Sequence, residues 1–200
     1  MNDSKLSLFL NCATKELEFG LSFDGKEDRI TSDQPKRALE DTNVFLDALL
    51  KRNNTSLKEV RAFYCLLGPG SNTGIRLGLT IPRTIYAFDP TIELYGIGTL
   101  DLMLSVAKYA ALSDRSGNLF FGRKEGETNI VEKVEKKEIS SLSLDASIAV
   151  EKADAVALSA LEKQQILPVD ILSLMEEHRD RFDDYSKREE EFLPRYLFEI

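Results

Sequence analysis

A mixed α/β fold, a sheet carrying helices on its faces, is the class this sequence predicts. Three observations carry the prediction. The first 110 residues read β-β-β-α-β-α-β-α, the run 62–67 is apolar on both faces, and a glycine loop separates that run from the helix after it.

The elements follow in order. KLSLFL at 5–10 is apolar and strand-sized. Leu17, Phe19, Leu21 and Phe23 then alternate with Glu18, Gly20 and Ser22, the period-two signature of a strand with one dry face. Asp24-Gly25 signals a hairpin, and KEDRIT returns as a polar edge strand. From 35 to 53, Leu39, Phe45, Leu46, Leu49 and Leu50 recur at helical spacing, with Asp33 as cap and Asn53-Asn54 as exit. Ser56 to Glu59 reads as a capping box over a short turn. AFYCLL at 62–67 has the composition of a central strand and stops at GPGSNTG, after which Ile75, Leu79 and Tyr86 resume helical spacing. IELYG at 92–96 gives a fifth strand, and Thr99 caps a helix expected to reach about residue 109. Beyond it, 110–112 and 118–123 can pair, 128–134 can extend the meander, and helices are expected over 153–164 and 168–191. No internal repeat is visible.

Composition excludes several functions. Of 200 residues, 42% are apolar and 30% charged, the balance of an ordinary soluble domain rather than a disordered or membrane chain. The 26 Lys and Arg against 34 Asp and Glu give −8, so the chain's own field does not draw in nucleic acid. Cys12 and Cys65 are too sparse for a disulfide framework and point to a reducing compartment. No leader and no apolar run near ~20 residues is present, so a cytoplasmic protein without a membrane span is expected. His178 is the sole histidine, which removes two-histidine metal sites and disfavours a Ser-His-Asp apparatus.

The glycine loop is the feature with chemical content. A strand, glycine loop and helix can grip an anion on backbone N–H groups. Five residues separate Gly68 from Gly74 and Ile75 follows, so this is not a P-loop, and Thr73 stands where a dinucleotide fingerprint needs glycine. The plainer reading is a tight turn with Ser71 or Thr73 capping the helix. Gly74 and Gly78, four apart, share a helical face that another helix can approach closely. Gly78→Leu would then block assembly without unfolding the chain. Arg76 beside them reads equally as a surface cation or an interface anchor.

LGPGSNTGIRLGL resembles the GPGSFTGLRIGL signature of the TsaB (YeaZ) family, the non-catalytic subunits of bacterial threonylcarbamoyladenosine synthesis on tRNA. LNCAT at 10–14 resembles that family's IDTAT, NTSLKEVRAF leads into the signature strand, GTLDLM resembles SSLEAL, and FLPRYLFEI resembles a closing P-x-Y-L. The similarity spans the chain and is strong over 57–103.

The resemblance implies an actin-like (ASKHA, sugar kinase/Hsp70-type) fold, with a complete N-terminal lobe over 1–109 and a reduced C-terminal lobe over 110–200. It implies a scaffold and activator that pairs with the catalytic paralogue TsaD through a helical bundle, with the ATPase TsaE as a further partner. tRNA is met only through the complex, and the free protein can form a homodimer. Interface candidates are Leu39, Asn43, Leu46 and Leu50 on the first helix and Gly70, Ser71, Asn72, Thr73, Gly74, Arg76, Leu77 and Gly78 on the loop and second helix. Asn11, Thr14 and Gly68 are expected near a nucleotide, with ATP or ADP at the complex interface and no cofactor, metal or catalytic residue of this chain's own. TsaD uses a paired-histidine metal motif that this chain lacks. Three positions depart from the family: Asn11 for aspartate, Asn72 for phenylalanine, and Pro82 inside the second helix. The rival reading is a stand-alone nucleotide-binding phosphotransferase-like enzyme, with Asp89, Asp101 or Asp114 as base or Mg²⁺ ligand. A third is a self-associating homologue outside the pathway.

Overall fold

The computed structural model describes residues 5–32, 38–114, 116–141, 144–161 and 163–197. β1 (Ser7–Asn11), β2 (Glu18–Phe23) and β3 (Lys26–Thr31) form an antiparallel meander. Asp24 and Gly25 turn it at φ 49° and 73°, left-handed values that suit this dipeptide. α1 (Ala38–Arg52) follows, and the expected Asp33 cap and Pro35 start lie outside the described residues. β4 (Ala62–Gly68) runs parallel to β1, α2 (Asn72–Phe88) crosses back, and β5 (Glu93–Gly98) runs parallel to β4.

A short α3 (Thr99–Met103) leads to the second sheet: β6 (Tyr109–Ser113), β7 (Leu119–Glu125), β8 (Thr128–Val134), α4 (Lys136–Ser141), β9 (Ile148–Glu151), α5 (Ala155–Ala160) and β10 (Ile166–Val169). The helix expected to reach 109 thus ends at Met103. Leu100, Leu102, Met103 and Leu104 are all buried, and the apolar pattern gives way to a turn before β6. The helix expected over 153–164 is one short segment. β9 and β10 are four residues each and α4 is polar, too little for periodicity to register.

The chain does not finish in that second lobe. α6 (Ile171–Glu177) lies against β1 and β2, and β11 (Asp183–Asp184) pairs antiparallel with β5. The long helix expected over 168–191 therefore stops at Glu177. Phe182, Tyr185 and Phe192 are instead buried anchors that fasten an irregular limb to the first lobe's core. A boundary at 109/110 falls inside β6, after its first residue, and leaves β11, a strand of the first sheet, on the far side.

The sheets run β11-β5-β4-β1-β2-β3 and β10-β9-β6-β7-β8. Their inner patterns, β3-β2-β1-β4-β5 and β8-β7-β6-β9-β10, have the same order and the same parallel and antiparallel senses. A duplication invisible in the sequence is plain in the topology.

β4 is central and covered on both sides, as its composition required. On one face Phe9, Tyr64 and Tyr95 stack at 4.7 Å spacings, with Phe182 edge-on to Tyr64 at 5.3 Å and the Arg179 guanidinium 4.8 Å from the Phe9 ring. Cys65, next in sequence, points to the other face and toward the Gly78 carbonyl of α2. Cys12 and Cys65 are both buried thiols in this region. β2 departs from expectation: α6 covers its second face, so Glu18 and Ser22 are buried beside Phe19 and Leu21.

Candidate functional site

β4 enters the glycine loop at Gly68, whose φ of +108° suits glycine, and a Cβ there would come 2.7 Å from the Arg195 carbonyl oxygen. The Arg195 N–H donates to the Leu67 carbonyl at 2.6 Å. The C-terminal arm thus crosses the end of β4. Ser71 caps α2, its Oγ accepting from the Gly74 N–H at 3.3 Å, while its own N–H donates to the Ala13 carbonyl at 2.7 Å. The capping reading of the loop is the one realised.

The small-residue face of α2 is filled from within. A methyl at Gly74 would overlap the Cys12 carbonyl oxygen, and one at Gly78 would sit 3.3 Å from Cys12 Cβ and Sγ. Both glycines admit the end of β1, so they offer no groove to a partner helix. Leu46 and Leu50, expected on the outer face of α1, are likewise buried in the core. Apolar residues at helical spacing suit a core and an interface equally, so spacing could not separate them. Asn43, Asn72, Thr73 and Arg76 are exposed, Leu77 and Ser71 half-buried, and the Leu39 side chain lies outside the described residues. Among the described residues, the large apolar side chains that α1 and α2 expose are instead Val44, 63% exposed, and Phe88, 88% exposed. α2 continues unbroken through Pro82, which is buried.

Between the lobes lies a cleft of about 430 Å³, a size typical of small-molecule sites. Gly70, Asn72 and Arg76 line one wall, Asp114, Phe120 and Lys133 another, and the arm residues Arg195 and Tyr196 a third. Its cations are engaged. Arg76 Nε donates to the Tyr196 hydroxyl at 2.6 Å and its guanidinium lies 5.4 Å from that ring. Lys133 pairs with Asp114 at 3.2 Å, and Arg195 pairs with Asp183 at 3.0 Å and donates to Tyr185 Oη at 2.7 Å. Burial works to raise the Asp114 carboxyl, but hydrogen bonds from Ser116, Lys133 and Asn118 hold it below its ordinary value.

A second polar centre lies under the loop joining β1 to β2. Asn11, fully buried, donates through Nδ2 to Thr14 Oγ1 and to a Glu18 carboxylate oxygen, both at 2.7 Å. Its Oδ1 accepts the N–H groups of Ala13 and Thr14 at 3.3 Å. Burial pushes the Glu18 carboxyl up from 4.5 to about 7, against the pull of the Asn11 amide, and the charges of Asp170, Glu16 and Glu151 push the same way as burial. Glu151, at the end of β9 and 2% exposed, receives the Lys15 N–H at 3.0 Å and the Glu16 N–H at 3.2 Å. Asn11 and Thr14 therefore belong together, whereas Gly68 belongs with the C-terminal arm. Sequence reasoning missed Glu18 and Glu151. Glu18 sat on the polar phase of an alternating strand, and Glu151 ended a strand too short to read.

The rival acids do not converge. Asp89 closes α2 and binds Thr91 and Arg61, Asp101 opens α3 and accepts from Asn129, and Asp114 holds its own turn. His178 is the C-cap of α6. Among the described residues no group of three or more His, Cys, Asp or Glu is placed to hold a metal, and no helix is long and apolar enough to cross a membrane.

No family model matches the chain. An uncharacterized protein of Mycoplasma pneumoniae is 35% identical over 105 residues, covering 50% of this chain and 53% of that protein. The uncharacterized Mycoplasma genitalium protein of which it is a homolog is 24% identical over 139 residues, 66% of this chain and 71% of that one. The match thus spans about half the length of the first relative and 71% of the second. Among solved structures, YeaZ from Pseudomonas aeruginosa superposes with TM-score 0.67 at 17% identity, covering 96% of this chain and 100% of that one. An uncharacterized protein described as similar to peptidase YeaZ from P. aeruginosa superposes with TM-score 0.68 at 16% identity, covering 97% and 100%. The chain has the YeaZ fold.

Proposed function

We propose that this chain, with its YeaZ fold, is a TsaB-type subunit: a non-catalytic scaffold that pairs with TsaD and activates threonylcarbamoylation of tRNA adenosine. The observation that carries this reading is the YeaZ fold over 96% of the chain, joined to the signature-like loop at 66–79. The duplicated strand order supports the actin-like architecture that the signature implies. Working in the cytoplasm, the chain would meet tRNA, ATP or ADP, and TsaE only within the assembly, and would self-associate through the same face when alone.

The docking face in this reading is narrower than the sequence implied. Asn43 and Val44 of α1 and Thr73, Leu77 and Phe88 of α2 supply it, with Gly74, Gly78, Leu46 and Leu50 supporting from inside. Val44→Asp with Phe88→Asp should abolish copurification with TsaD and the activity of the reconstituted system. Such exposed changes should leave thermal stability within about 0.5 kcal/mol. Full complex formation by that variant removes this face from the interface. ATP turnover by the isolated chain, with no TsaD recovered from its own cells, replaces the scaffold with the phosphotransferase reading.

A further inference from the structure

We infer that the loop between β1 and β2 is an oxyanion site built from backbone donors, and that its resident ligand is the Glu151 carboxylate of the second lobe. Both Glu151 oxygens lie 3.0 Å from the Lys15 nitrogen, and one lies 3.2 Å from the Glu16 nitrogen. The Thr14 side chain also favours the ionised form of the same carboxylate. Two consecutive peptide N–H groups aimed at one anion form the concavity that holds carboxylates and phosphates elsewhere.

The hydroxyl is oriented for this task. Thr14 Oγ1 accepts a hydrogen bond from Asn11 Nδ2 at 2.7 Å, which leaves its own proton for Glu151. Asn11 Oδ1 meanwhile accepts the Ala13 and Thr14 N–H groups and fixes the loop's curvature. Burial raises the Glu151 carboxyl, and the loop donors pull against it.

The plug is built as a unit. The turn after β9 is closed by the Asp154 N–H on the Glu151 carbonyl at 3.0 Å. Asp154 accepts the Ser113 N–H at 2.6 Å and the Ser113 hydroxyl at 2.7 Å at the end of β6, and caps α5 through the Ala157 N–H at 3.1 Å. One turn therefore sends one carboxylate to the loop that follows β1 and another to the end of β6, the matching strand of the second repeat. The loop in the first lobe is occupied by the protein itself, and an external oxyanion enters only when Glu151 is removed.

The test is replacement of the missing carboxylate in the full chain. Glu151→Ala should lower the melting temperature, and sodium formate at ~10 times its Kd should restore roughly 3–5 °C relative to sodium chloride at equal ionic strength. Wild type should respond to formate and chloride alike. Inorganic phosphate in place of formate distinguishes the two ligand classes: recovery with formate alone defines a carboxylate-sized site, and recovery with both defines a wider oxyanion site. Equal responses of wild type and variant, or no response to either anion, overturn the inference. If Glu151→Ala does not fold, Glu151→Gln keeps the shape and removes the charge. The Lys15 and Glu16 amide proton resonances should then move upfield, and unmoved resonances overturn the assignment.

Discussion

Glu18 shows how a single buried carboxylate ties stability to pH. Unfolded, it titrates near 4.5; folded, near 7. Between those values the folded chain keeps a proton that the unfolded chain has lost, so stability falls as pH rises through the window and levels off above it. Glu18→Gln removes this contribution while keeping an oxygen for the Asn11 amide. The variant should gain on wild type between about pH 4 and about pH 8, by on the order of 3 kcal/mol. Denaturant melts at both ends measure it, and a constant difference between the two proteins contradicts the assignment. The amide at Asn11 fits the same arrangement. An aspartate there would bring a third carboxylate beside Glu18 and Glu151 and lose the donor to Thr14.

The elements around the glycine loop are held by close approaches that composition alone disguised. Gly78→Leu, expected from helical spacing to block a partner, should instead destabilise the fold: its side chain has to displace Cys12, already 3.3 Å from where a methyl would stand. Overpacking of this kind costs about 1–3 kcal/mol or more, so the melting temperature and partner binding should fall together. Preserved melting with lost binding would restore the external groove. The C-terminal arm makes a second, milder prediction. Tyr196→Ala loses the Arg76 hydrogen bond and ring contact, worth about 1 kcal/mol at an exposed site. Global stability should barely change, whereas trypsin should cut after Arg195 several times faster; an unchanged rate means that the contacts of Arg195, its backbone bond to Leu67 and its side-chain bonds to Asp183 and Tyr185, secure the arm without Tyr196.

Across the whole molecule, the first lobe was legible because its signals are long or strongly coded. The alternating strand, the Asp24-Gly25 turn, the doubly apolar β4 and the glycine loop all appear where periodicity and turn chemistry place them. The second lobe was less legible, since β9 and β10 are four residues each and carry no period. The helix expected over 168–191 ends at Glu177, and beyond it Phe182, Tyr185 and Phe192 dock singly into the first lobe's core, a tertiary role that no local pattern carries. The candidate site divides the same way. Asn11 and Thr14 were found through a motif resemblance, whereas Glu18 and Glu151 meet only through tertiary structure.

The returning limb sets an order on synthesis. The first lobe's core includes Leu172, Met175, Phe182, Tyr185 and Phe192, so the half of the protein that leaves the ribosome first cannot close until nearly the last residues follow. The strands of 109–169, by contrast, have their sheet partners within their own stretch of sequence and form, in effect, an insert within the earlier lobe. A nascent chain arrested after Val169 should therefore leave its N-terminal half open to protease, with Phe9, Tyr64 and Tyr95 lacking their Phe182 cover. Release of the full chain should protect that half in one step, whereas protection already complete at the arrested length would show that the limb is dispensable for closure. The stacked aromatic face waiting on the C-terminus is the surface a growing chain must keep from its neighbours, so the lag between the first strand and its cover makes translation rate a determinant of yield.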